Sequence, residues 1–141
     1  MTWGAINELT TLTSYNRLSL LAGHPVLEDL LKRIVRDESR HFSFYYHKAE
    51  QLLANSTTAR LTRFCVDRLW SPVGAGVRPK PEMIFVAGYL FSGTEGQQAA
   101  RKIDDTIRRL PGLHDVQLFE AWVAQHVNSD ELGWEKYAKA A

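Results

Sequence analysis

The run Leu20-Leu21-Ala22-Gly23-His24-Pro25-Val26-Leu27 decides how the chain folds. On its N-terminal side Ala5, Ile6, Leu9, Leu12, Tyr15, Leu18 and Leu21 recur with the three-and-four rhythm of a helix. On its C-terminal side Val26, Leu27, Leu30, Leu31, Ile34, Glu38, His41, Tyr45, Ala49 and Leu52 keep that rhythm, with no Gly or Pro before the turn signal Asn55-Ser56. Gly23 suits the left-handed residue that ends a helix, and Pro25 suits the first turn of the next. A connection this short predicts two helices that are antiparallel neighbours.

In such a hairpin, residues equidistant from the turn lie at one height. Glu8 and Glu38 are each fifteen residues from Gly23 (23 − 8 and 38 − 23). At 1.5 Å per residue that is about 22 Å along each arm. Glu8 sits on the apolar stripe of its helix, with Thr11, Leu12 and Tyr15 at i+3, i+4 and i+7. Glu38 and His41 continue the stripe of Leu27, Leu31 and Ile34, so the helical phase predicts that both point inward. Buried carboxylate and imidazole groups need a partner or a metal. Two carboxylates and one imidazole at one level form a mixed O/N half-site, suited to iron, with manganese as the alternative.

At these residues the chain resembles a known family. Glu8-x-x-Thr11, followed about 30 residues later by Asp37-Glu38-x-Arg40-His41, is similar to the second helix pair of ferritin-like di-iron carboxylate proteins, above all the soluble acyl-carrier-protein desaturase type. The likeness covers Trp3 to Leu53, with a faint echo in the Gly96-Gln97-x-Ala99 and Arg109-Leu110-Pro111 strings. It implies metal ligation by Glu8, Glu38 and His41, and a catalytic Thr11 near the dioxygen-binding face. It further implies that Asp37 hydrogen-bonds a metal-bound histidine and that Arg40 compensates the carboxylates. Read without the resemblance, Asp37 and Arg40 could equally form a surface pair.

A complete di-iron site of this type takes one Glu from each of two helices and a Glu-x-x-His from each of two others. This chain has one of each. Glu28 and His47 lie off the required face and cannot supply the rest. A homodimer, or another chain completing the bundle, would restore the count. The second helix also outruns the first, leaving Tyr45 to Leu53 without a partner from it, which points alternatively to a lost N-terminal helix pair.

The remainder reads as shorter helices and a loop. Ala59 to Trp70 has helical spacing, Ser71 to Pro81 is a Pro/Gly-rich loop, and Met83 to Phe91 fits a buried helix or a strand. Thr94 and Gln97 resemble a capping box opening a helix that runs to Leu110, and Asp115 could cap a last helix from Val116 to Val127. The expected organisation is one domain over 1–141: a hairpin at 3–53, C-terminal helices and loop at 57–127, and a tail at 128–141.

With 17 Lys plus Arg against 16 Asp plus Glu, the chain has no basic excess for a phosphate backbone, so a nucleic-acid partner is not expected. A single cysteine, Cys65, excludes an intramolecular disulfide framework and suits a reducing compartment. The longest apolar run, Ile84 to Phe91, is far below the roughly 20 residues that cross a bilayer. The expectation is a cytoplasmic all-α protein, half of a ferritin-like bundle, working as a non-haem di-iron oxidoreductase. The competing readings are an iron-oxidising ferritin-type role and a helical protein without a working metal site.

Overall fold

The structure, a computed structural model, describes residues 1–127. The expected tail at 128–141 lies outside the described residues. Among the described residues there are six helices and no strand: α1 (Thr2–Ala22), α2 (Pro25–Leu53), α3 (Ser56–Leu69), α4 (Lys80–Phe91), α5 (Gly93–Ile107) and α6 (Phe119–His126). The chain is all-α over this span. None of these helices is long and apolar enough to cross a membrane.

α1 and α2 form the expected antiparallel pair. Gly23 ends α1 at φ 58°, the left-handed conformation that costs a glycine least, and Pro25 occupies the first turn of α2. Near the open end, Gly4 of α1 meets the ring of Tyr45 of α2. Of Tyr45 to Leu53, expected to have no partner from α1, Tyr45 does meet α1 at Gly4, and the stretch beyond it packs on later helices. Ala49 and Leu53 are fully buried in the common core with Ile103, Ile107, Leu110 and Leu113, and the Tyr46 hydroxyl donates to the Thr106 carbonyl at 3.3 Å. The later helices cover the end of α2 that α1 leaves bare.

α1 is thus sandwiched, with α2 on one side and α4 and α5 on the other. Its outer stripe carries Arg17 as well as Ile6 and Thr10, at i, i+4 and i+11. The nearly buried guanidinium spans two helices: Nε donates to the Leu90 carbonyl of α4 at 2.9 Å, and a terminal nitrogen meets Glu95 of α5 at 3.0 Å.

The region left open between helix and strand is helical, and α4 starts at Lys80, inside the expected loop. The turn into α5 is tight, because a Cβ on Gly96 would stand 2.3 Å from the Phe91 carbonyl carbon. α5 begins at Gly93 and ends at Ile107, and no side chain caps its N-terminus, so Thr94 and Gln97 form no capping box. α3 is capped by Asn55, whose side chain accepts from the Thr57 and Thr58 amides. It buries Ala59 and Val66 and exposes Leu61, Phe64 and Leu69.

The last helix also differs from expectation. It starts at Phe119, and Asp115 points instead to Arg63. The cap comes from Asp104 of α5, a fully buried carboxylate accepting the amides of Leu118, Phe119 and Glu120 at 2.9, 3.0 and 3.2 Å.

Candidate metal centre

Glu8, Glu38 and His41 converge on one point between α1 and α2, each offering a ligand atom within 4.8 Å of the others. The hairpin brings them there by equal arm lengths, and the Gly4–Tyr45 contact fixes the spacing of the arms one turn away. Glu38 and Glu8 are half-buried, as the helical phase suggests. His41 is not, since its side chain is 61% exposed. It lies 60° further round the helix than Glu38, counting 100° per residue, and so falls at the edge of the stripe. Its Nδ1 meets Glu38 Oε2 at 3.1 Å.

The electrostatics reflect crowding of like charges. Burial pushes the Glu8 carboxyl above its usual range, and the hydrogen bond and negative charge of Glu38 push it further, against a smaller opposing pull from His41. Two carboxylates and an imidazole are the donors that a divalent or trivalent iron accepts. The residues therefore fit such an ion, as three of the ligands it needs.

The other residues of the pattern are placed differently. Asp37 and Arg40 form the surface pair, 3.4 Å apart with both side chains largely exposed. Within one chain Asp37 does not play the expected part beside His41, whose contact is with Glu38. Glu28 and His47 pair with Lys32 and Glu50 on the outside of α2, off the site as expected.

Thr11, one turn along α1 from Glu8, lines a cavity of about 570 Å³ between α1, α4, α6 and the loop after α3. Its walls include Tyr15, Met83, Leu90, Phe119 and Trp122. The cavity depends on α6 and therefore on the Asp104 cap, which sequence reasoning missed. The available signal was phase: Asp104 falls on the buried stripe of Ala100, Ile103 and Ile107. Arg17 carried the same signal on α1.

No protein-family model, curated protein or solved structure matches this chain.

Proposed function

We propose that this chain is a non-haem iron oxidoreductase of the ferritin-like di-iron type, with Glu8, Glu38 and His41 as its contribution to the metal site. The observation that carries the reading is the convergence of these three donors between two antiparallel helices. Glu8, Glu38 and His41 would hold iron, with manganese as the alternative, and the metal would supply dioxygen activation. The carboxylates of Glu8 and Glu38 would neutralise the ion's charge, and their ability to bind through one oxygen or two suits a change of oxidation state. His41 adds a nitrogen donor from the solvent-facing edge.

The cavity behind Thr11 favours an organic substrate over iron itself as the substrate. Its predominantly apolar wall suits a hydrocarbon segment, and an acyl chain, the substrate class that the family resemblance implies, is the candidate. The Thr11 hydroxyl stands on the wall nearest Glu8 in sequence, where it can orient a polar species at the site.

Metal analysis tests this directly. Protein produced in iron-rich medium is expected to carry about one iron per chain. His41→Ala is expected to remove it without unfolding the protein, because the exposed imidazole contributes little to packing. Metal-free protein, or unchanged iron in the His41→Ala variant, would overturn the proposal.

A further inference from the structure

The outer flank of α2 carries a second stripe, centred about a quarter-turn round the helix from Leu31 and Glu38 and sharing Ile34 and His41 with the edge of the stripe that faces α1. Leu30, Ile34, Asp37, His41, Phe44 and Lys48 follow one another at steps of four, three, four, three and four. That alternation is the seam of a two-helix coiled contact. Ile34 is half-buried, and the other five are exposed, Leu30 and Phe44 each by more than half. The apolar members lie towards the two sides of the stripe, and the polar pair, Asp37 and His41, occupies its centre.

The stripe is complementary to itself. If a second α2 lies antiparallel on it about a twofold axis at residue 39, pairs whose numbers sum to 78 come opposite each other. Ile34 then faces Phe44 of the second copy, Leu30 packs along the aliphatic stem of Lys48, and Asp37 faces His41. The central pair joins an acid to an imidazole, and the flanking pairs join apolar surfaces. A shift by one turn would instead set Asp37 against Asp37 or His41 against His41, leaving like groups together.

We infer that a second copy of this chain docks on the outer flank of α2 in this register, and that the metal centre is completed across the twofold axis. This rests on the metal reading above and names its missing half. Two copies place Glu8, Glu38 and His41 twice about one axis, giving four carboxylates and two imidazoles, the full donor count of a two-metal carboxylate site. Asp37 also acquires a role that one chain cannot give it. In one chain it pairs with Arg40 on the surface. Across the axis it accepts the second N–H of the other copy's His41, the contact that fixes a ligating imidazole's orientation.

The test uses full-length, chelator-treated protein, so that it reads assembly apart from metal. Light scattering is expected to give twice the 16.0 kDa chain mass, and Phe44→Glu is expected to give monomers of unchanged helicity. In a Cys65→Ser background, Leu30→Cys combined with Lys48→Cys is expected to yield a disulfide-linked dimer on mild oxidation, whereas either substitution alone gives little. Within one chain the two positions are about 27 Å apart along the helix, far beyond disulfide reach. Ile34→Cys with Phe44→Cys repeats the test at the second symmetric pair. A monomer at every concentration, or single-cysteine variants that cross-link as well as the doubles, would overturn this inference. Iron bound by a monomer and lost in His41→Ala would overturn the docking while leaving the metal reading intact. A cross-linked dimer that takes up no iron would do the reverse.

Discussion

Tyr45 closes on Gly4 so tightly that a Cβ at residue 4 would stand 2.7 Å from Cδ1 of the ring. The contact lies one turn from Glu8 and brings α1 and α2 together through a bulky, half-buried ring. Gly4→Ala gains about 1 kcal/mol in helix propensity but meets an overpacking cost of roughly 1–3 kcal/mol. A net loss of about 1 kcal/mol is expected in urea denaturation, together with weaker metal binding as Glu8 moves away from Glu38. Adding Tyr45→Ala to Gly4→Ala is expected to recover the metal affinity; continued loss would show that the arms are spaced by some other contact.

Glu8 links stability to pH in the metal-free protein. Its carboxyl is raised by burial and by Glu38, so the folded chain holds this proton to higher pH than the unfolded chain does. The resulting stability is fully present below the ordinary value of 4.5 and is lost as pH rises through the raised folded value. Glu8→Gln is expected to remove this fall and to stabilise the metal-free protein at neutral pH by about 0.5 kcal/mol, a typical size for partly exposed charge interactions. Metal uptake runs oppositely, strengthening as Glu8 deprotonates, and Glu8→Gln abolishes it. Thermal unfolding with and without chelator across pH 4–8 separates the two effects.

Asp104 holds the start of α6 through three backbone amides. Asp104→Ala leaves buried donors without acceptors, and a loss of about 2–3 kcal/mol is expected. Asp104→Asn, which keeps one acceptor oxygen, is expected to lose less. Because Phe119 and Trp122 line the cavity from α6, hydrogen exchange is expected to accelerate in residues 118–123 ahead of the rest of the molecule. Uniform acceleration throughout the chain would count against a local role.

Arg17 ties α1 to the junction of α4 and α5 through Leu90 and Glu95. Arg17→Met retains most of the stem but abandons the Leu90 carbonyl, and a cost of about 1.5–3 kcal/mol is expected, as for hydrogen bonds made by charged donors. Glu95→Ala is expected to cost well under 1 kcal/mol, since the carboxylate is largely exposed. Equal effects from the two substitutions would place the anchor in the ion pair and not in the carbonyl contact.

How much of this was legible follows from which interactions are local. The turn at Gly23-His24-Pro25 and the level meeting of Glu8 and Glu38 could be read because helix rise and chain count alone determine them. His41 was placed with the correct neighbours but on the wrong side of the solvent boundary, because periodicity locates a stripe better than its edge. The sequence leaves 83–91 open, since a short apolar run serves either structure, and the segment is helical with Leu90 and Phe91 buried in the core. The start of α6 could not be read near Asp115, because its cap arrives from Asp104 in the preceding helix. Cavity walls drawn from α1, α4 and α6 have no local signature at all.

The equal arms of the hairpin also constrain how this sequence can change length. Inserting one residue between Glu8 and Gly23 would swing Glu8 by about 100° and move it about 1.5 Å along the axis, out of reach of Glu38. A compensating insertion in the other arm would restore the height but not the facing. Deletions and insertions between residues 8 and 38 are therefore tolerated only in steps near two whole turns, made in both arms together. Outside that span, as in the 70–79 loop, the chain can lengthen without disturbing the three donors. The segment from Glu8 to His41 behaves as a ruler whose graduations are helical turns.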